Sequence, residues 1–261
     1  MYASNYFEAQ MLNLLKSQNI TAPANLYLAL FLSNPGDTGT EGTEITYSGY
    51  QRQLITFSAP AASGTGLSMQ NTSLISFAES TVSAGQVTYV AVFDSLTAGN
   101  MLLYGQLDTP LNVQPNVSPV FRAGTVTWIW TGNLSTYYRT AIMNTLRGTN
   151  LSGFAPYLAF CTGDPTGTGN EFSGNNYARI SIGDNMTTPQ AGSSGASYVQ
   201  NTTDLVSAIA TGAWGTYDTA ALYDAATGGH AFMVIPTGTS YNIGTGYSIT
   251  CPAGALQVNV N

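Results

Sequence analysis

Residues 26–53 read LYLALFLSNPGDTGTEGTEITYSGYQRQ, and residues 156–180 read PYLAFCTGDPTGTGNEFSGNNYARI. The second stretch repeats the first. Tyr27, Leu28 and Ala29 recur as Tyr157, Leu158 and Ala159, and Pro35 and Gly39 recur as Pro165 and Gly169. The loop then contracts by three residues, after which Glu44, Tyr50 and Arg52 recur as Glu171, Tyr177 and Arg179. Further on, the spacing returns to 130 residues and pairs Gly85 with Gly215, Asp94 with Asp224, Gly99 with Gly229 and Gly124 with Gly254. Upstream, SNYFEAQMLNLLK at 4–16 is echoed by STYYRTAIMNTLR at 135–147. The chain is two copies of one unit, residues 1–130 and 131–261, and each is long enough to bury a core of its own.

The apolar spacing predicts the elements of that unit. Phe7, Met11, Leu12 and Leu15 follow a Ser–Asn cap at helical spacing, so residues 4–16 are a short amphipathic helix. Leu26, Leu28 and Leu30 alternate as the first strand, and SNPGDTGTEGTE is a loop by its Gly, Asp, Asn and Pro. Further strands are expected at 50–57, 74–77, 87–93, 101–107 and 120–130, with residues 60–72 as a polar loop. The second copy repeats the order: a helix at 135–147, then strands near 157–161, 177–182, 217–223, 230–236 and 255–260. Its loop at 183–203 is longer, rich in Gly, Ser and Asn, and expected to be mobile. Many short strands with strong turns make the chain mainly β, as two tandem sandwich- or barrel-like modules. Each module has a leading helix placed to cap an open end or edge. No linker separates the copies, so their mutual orientation is expected to be fixed.

Charge sets limits on function. Only 7% of residues are charged, against about 25% in ordinary soluble domains, and the net charge is −7. The six Lys and Arg form no cluster, so neither nucleic acid nor an anionic membrane is an expected partner. No apolar run approaches the roughly 20 residues of a membrane-spanning helix. MYASNYFEAQ has neither the basic nor the apolar region of a signal peptide. A nearly neutral, polar surface suits packed assemblies and extracellular exposure.

Few residues carry chemistry. The single histidine, His230, aligns with Asn100, which speaks for a turn residue and against a catalytic base. Asp94 and Asp224 each end a strand and precede a Gly-containing turn. One acid per copy at equivalent places gives structural Asx-turns, not a pair flanking one glycosidic bond. Glu44, Tyr50 and Arg52, with Glu171, Tyr177 and Arg179, form a duplicated structural network made conspicuous by the scarcity of charge; gripping a ligand is the alternative. Cys161 and Cys251 align with Phe31 and Phe121. They are either small core hydrophobes or a close pair able to form a disulfide under oxidising conditions. Neither a metal site nor a cofactor is indicated, because two Cys and one distant His lack ligand spacing.

These same motifs resemble a family of tailed-bacteriophage virion proteins, often described as tail fibre or structural. The resemblance rests on the helix opening SNYFEAQMLNLL, the strand NLYLALF, the Asn34–Pro35 loop, Gly49-Tyr50-Gln51-Arg52, the hairpin FDSLTAGNMLLYG at 93–105 and the closing Ala123–Gly124 strand. The second copy departs at Asn176, where glycine is expected, and at Val234–Ile235 in place of Tyr–Gly. The resemblance implies a non-enzymatic virion component made in the host cytoplasm. It would dock on other virion proteins as a symmetric homo-oligomer, with a trimer as first expectation. Capsid decoration is preferred to a tail-fibre or collar position because the chain lacks a long shaft. Carbohydrate binding through the Tyr- and Asn-rich loops is the reading from another class, and a glycan-degrading enzyme the weakest.

Overall fold

The computed structural model describes residues 1–132, 134–192 and 196–260. The first repeat comprises β1 (Tyr2–Ala3), α1 (Asn5–Asn13) with a 3-10 turn at Leu14–Lys16, β2 (Leu26–Phe31), β3 (Gln53–Ile55), β4 (Ala61–Ser63), β5 (Gly66–Gln70), β6 (Ile75–Ser76), β7 (Gly85–Phe93), β8 (Met101–Val113), β9 (Val120–Phe121) and β10 (Thr127–Trp130). The second comprises α2 (Thr136–Thr145), β11 (Tyr157–Thr162), β12 (Asn170–Glu171), β13 (Ile180–Ser181), β14 (Gln190–Ala191), β15 (Ser197–Gln200), β16 (Leu205–Val206), β17 (Gly215–Tyr223), β18 (Ala231–Ile243), β19 (Thr250–Cys251) and β20 (Gln257–Val260). The protein is mainly β: two tandem sandwich-like domains, each opened by a short helix.

Each repeat has a large antiparallel sheet, β1-β8-β7-β2-β3 in the first, and a small one, β10-β5-β4. The second repeat matches them with a sheet built on β11, β17 and β18, and with β14-β15-β20. Even the irregularities recur: the β7–β8 ladder slips between Val87 and Tyr89, and β17–β18 slips between Tyr217 and Thr219. Side chains of β2 and β7 alternate between two buried faces. Leu28, Leu30, Val90 and Val92 enter the main core, whereas Ala29, Phe31, Ala91 and Phe93 form a small cluster behind the sheet.

Both helices start at a serine. The Ser4 hydroxyl accepts the Phe7 N–H at 3.2 Å and the Ser135 hydroxyl accepts that of Tyr138 at 3.3 Å, which satisfies amides left free in the first turn. Each cap also joins its own large sheet, with Ser4 N–H donating to the Leu102 carbonyl and Ser135 N–H to that of Phe232. The far sides of the helices do something the pattern alone did not specify. Helix α1 packs on β15 and β20 of the second repeat, and α2 packs on β5 of the first. The helices do not cap an open end; each is clasped between its own large sheet and its neighbour's small sheet. One continuous core therefore holds residues of both repeats.

Reciprocal bonds mark an approximate two-fold relation. Ile20 and Leu151 exchange N–H···O bonds of 2.8 and 3.0 Å. Beside them, Ala22 N–H donates to the Asn150 side chain and Gly153 N–H to that of Asn19. Lys16 reaches the Met186 carbonyl, and its counterpart Arg147 reaches that of Phe57.

At equivalent positions the two helices carry buried, opposite charges, Glu8 and Arg139. Glu8 is 3% exposed and accepts the Ser197 N–H of β15 at 2.8 Å. Burial pushes its carboxyl up to about 7, with the negative charge of Asp37 adding to the shift and the Ser197 hydrogen bond opposing it. A raised carboxyl pKa means that the fold prefers the neutral form. Its cost is absent below the ordinary carboxylate range, grows as pH rises from about 4.5 and is complete above about 7. Glu8→Gln keeps an acceptor for Ser197 and removes the charge. It is expected to stabilise the protein by on the order of 2 kcal/mol at pH 8 and by almost nothing at pH 4.5, read from denaturant titrations at both values. A constant difference across that range would refute the assignment.

Three stretches differ from expectation. Residues 60–72 are not a loop but the hairpin β4–β5, whose Leu67 and Met69 lie across from Trp130 and Trp128 of β10. The stretch 120–130 is not one strand: β9 pairs with β6, whereas β10 pairs with β5. In the long loop of the second repeat, β14 and β15 form a ladder; residues 193–195, part of the segment expected to be mobile, lie outside the described residues.

Candidate functional site

The most polar constellation in each repeat sits behind the large sheet. The chain leaving β2 turns through the glycine-rich loop and returns along it, with Ile45 N–H donating to Leu30 and Leu32 N–H donating to Thr43. That return brings Glu44 opposite Phe31. The Glu44 carboxylate takes Arg52 Nε at 3.0 Å and Nη2 at 2.8 Å, a bidentate pair, and also the Tyr50 hydroxyl at 2.9 Å. The Tyr50 oxygen in turn accepts the Leu30 N–H at 3.1 Å. Arg52 Nη1 donates to the carbonyls of Ser95 and Ala98, and the guanidinium carbon lies 3.6 Å above the Phe93 ring. The Arg52 side chain is only 9% exposed. Burial pushes the Tyr50 hydroxyl far above its ordinary range and the Glu44 charge adds to that, so this group stays protonated and donates.

The second repeat builds the same object. Glu171 holds Arg179 at 2.8 and 2.7 Å and Tyr177 at 3.2 Å. Arg179 donates to the carbonyls of Ala225 and Gly228 and covers the Tyr223 ring at 3.5 Å. Every strong donor and acceptor in the pair of networks is directed at its own chain. The arrangement clamps β2, the return loop and the turn after β7 to one another.

That turn is where the duplicated aspartates lie. Asp94 Oδ1 accepts the Asn100 N–H at 2.7 Å and Oδ2 accepts the Asn100 side-chain amide at 2.8 Å. Asp224 accepts the His230 N–H at 2.7 Å, stands 3.5 Å from His230 Nδ1 and accepts the Tyr138 hydroxyl at 2.9 Å. The turns close through Gly99 (φ +73°) and Gly229 (φ +68°), where a Cβ would meet the aspartate carboxylate. Asp94 and Asp224 close separate loops in separate repeats, and the His230 N–H supplies in one what the Asn100 N–H supplies in the other.

The two cysteines are free thiols and not a close pair. Along β11, Leu158 and Phe160 point into the main core while Ala159 and Cys161 point behind the sheet, where burial pushes the Cys161 thiol up to about 12. Cys251 packs against the main core from β19, opposite Leu205. Strand alternation thus puts the two on opposite sides of the large sheet.

Two cavities arise where the repeats differ, and sequence reasoning missed both. The first lies between α2 and Pro165–Thr166, about 350 Å³, with His230 stacked on Tyr137 at 3.6 Å in its wall. In the first repeat the longer loop reaches over the equivalent helix start. There Asn5 N–H donates to the Asp37 carbonyl and the Tyr104 hydroxyl to the Asp37 carboxylate. The three-residue contraction was the sequence signal. The second cavity, about 220 Å³, lies beside α1 between Phe7, Pro23 and Leu146. Among the described residues, no three His, Cys, Asp or Glu side chains are grouped to hold a metal ion, and no helix is long and apolar enough to cross a membrane.

No curated protein matches the chain. A family model described as podophage GP4 fiber I protein gp80 matches residues 2–129 and, a second time, residues 133–259. The two matches coincide with the two sets of sheets, clamps and aspartate turns. The chain belongs to this podophage fibre family and carries its unit as two tandem copies.

Proposed function

We propose that this chain is a non-enzymatic fibre-type component of a tailed-phage particle, a rigid block that docks on other virion proteins. The observation that carries this reading is the family match over both repeats, because the matched unit is built around internal clamps. Such a block transmits position and load, which suits a symmetric homo-oligomer, a trimer being the first expectation. Capsid decoration is the second reading. It draws on the fused core of two short repeats and the absence of a shaft from the described residues.

Quantitative mass spectrometry of purified particles separates these placements. A few to a few dozen copies per particle is the expected result for a fibre. Hundreds of copies would move the chain to the head surface, and no copies would end the virion reading. A sugar-binding role has one concrete locus, the 350 Å³ cavity with Tyr137, His230, Thr136 and Thr166 around it. Glycan-array binding lost in Tyr137→Ala would support that role, and silence across a broad array would remove it.

A further inference from the structure

We propose that the cavity beside α1 is a receptor for an aromatic side chain presented by a partner polypeptide. The second repeat places a residue of its own at the corresponding position. Phe7 and Leu102 line the cavity, and their counterparts are Tyr138 and Phe232. Those two rings touch each other at 5.0 Å, and the Phe154 ring packs against both, with centroids 5.2 Å from Tyr138 and 5.4 Å from Phe232. Its backbone is anchored as well, since the Phe154 N–H donates to the Leu14 carbonyl at 2.9 Å.

The reciprocal bonds of Ile20 with Leu151, and of Asn19 and Asn150 with the opposite chain segments, set the correspondence between the two stretches. Counted from them, the position of Phe154 falls on Pro23. Proline brings neither an aromatic ring nor an N–H. The counterpart of Leu14 is Thr145, which lines the cavity together with Leu146. The first repeat therefore keeps the apolar walls and the carbonyl position, and lacks the residue that uses both.

Size and chemistry agree with such an occupant. An apolar cavity of about 150 Å³ takes a benzene molecule, and this one measures about 220 Å³. The pocket opens to solvent, so an occupant gains by taking the apolar surfaces of Phe7, Leu102 and Leu146 out of water. Gln10 and Asp94 in the lining add acceptors within the site, which suits the hydroxyl of tyrosine as well as the plain ring of phenylalanine. A sugar would leave its hydroxyls against Phe7, Leu102 and Leu146. A peptide delivers a ring and an N–H together, as the chain itself does at Phe154. That the partner is a virion protein rests on the functional reading above; the chemistry of the cavity does not.

The test is titration of the full chain with N-acetyl-phenylalanine methylamide, followed through the leucine methyl resonances. One site per chain is expected, shifting Leu102 and Leu146, with the alanine analogue at least tenfold weaker. Pro23→Phe is expected to lower binding tenfold or more, and Leu102→Trp provides a second plug should the first variant fold poorly. Phe154→Ala is expected to open the matching site and raise the stoichiometry from one to two. No shift at Leu102 and Leu146, equal response to the alanine analogue, or undiminished binding in both plugged variants would overturn the proposal. Tighter binding of a methyl glycoside than of the peptide would replace it with a sugar site. Should the chain prove absent from particles while the peptide binds, the virion reading falls and the aromatic receptor stands.

Discussion

A chain cut to residues 1–130 is expected to have no folded monomer. In the intact protein α1 lies on β15 and β20, so removing the second repeat takes that cover from a segment whose Leu12, Leu14 and Leu15 are buried. It also strips α2 from β5. Each large apolar side chain returned to water costs about 1.5–3 kcal/mol. Losing several of them matches the roughly 5–15 kcal/mol that holds an entire domain together. Because the repeats are related by an approximate two-fold exchange, a second copy of the fragment offers an equivalent partner. The expected species is therefore a dimer whose melting temperature rises with concentration, or an unfolded chain where the dimer is too weak. Sedimentation and circular dichroism over a hundredfold concentration range decide it. A monomer with a sharp, concentration-independent melt near that of the intact chain would refute the exchanged-helix account.

Arg52→Ala and Arg179→Ala are each expected to cost about 3–5 kcal/mol, a fall in melting temperature on the order of 10 °C. The loss is this large because the change does more than delete an ion pair. In the first repeat it leaves the Glu44 carboxylate without its bidentate partner, frees the carbonyls of Ser95 and Ala98, and uncovers the Phe93 ring. Lysine is expected to recover less than half, since one ammonium does not span the carboxylate fork and the turn carbonyls together. Thermal denaturation of the four variants is the measurement. A penalty below about 1 kcal/mol, the range of exposed pairs, would mean that the clamp is ornamental and that its retention in both copies has another cause. Equal losses in the two repeats would further show that the shared core of the fold distributes the damage evenly.

Much of this was legible along the chain. The helix starts were readable because a serine cap and an apolar stripe are both local, and α1 and α2 begin where the pattern places them. The strands β2, β7, β11 and β17 were readable from their apolar, alternating residues, whereas the pairing of β2 with β7 and of β11 with β17 came from the fold. The members of the clamp stood out because charge is so scarce here; Glu44, Tyr50 and Arg52 lie close in sequence, and one turn of the loop brings them together. The hairpin β4–β5 was not legible. Its Ala, Ser and Gly residues have little strand preference, and it is held by Trp128 and Trp130 some sixty residues away in the chain.

What the sequence alone determined was the duplicated unit, its helix and strand order and the partners of its charges, all set by short-range pattern and by the repeat itself. The tertiary structure alone decided which surface each helix covers, which side of the sheet each cysteine occupies, and that one repeat leaves a cavity open at the position its twin gives to Phe154. An apolar stripe states that a face must be buried and does not say against what. Two repeats of one fold offer that stripe two similar surfaces. The crossing at Ile20 and Leu151, together with the bonds of Glu8, Lys16 and Arg147 to the opposite repeat, ties each helix to the neighbour's sheet.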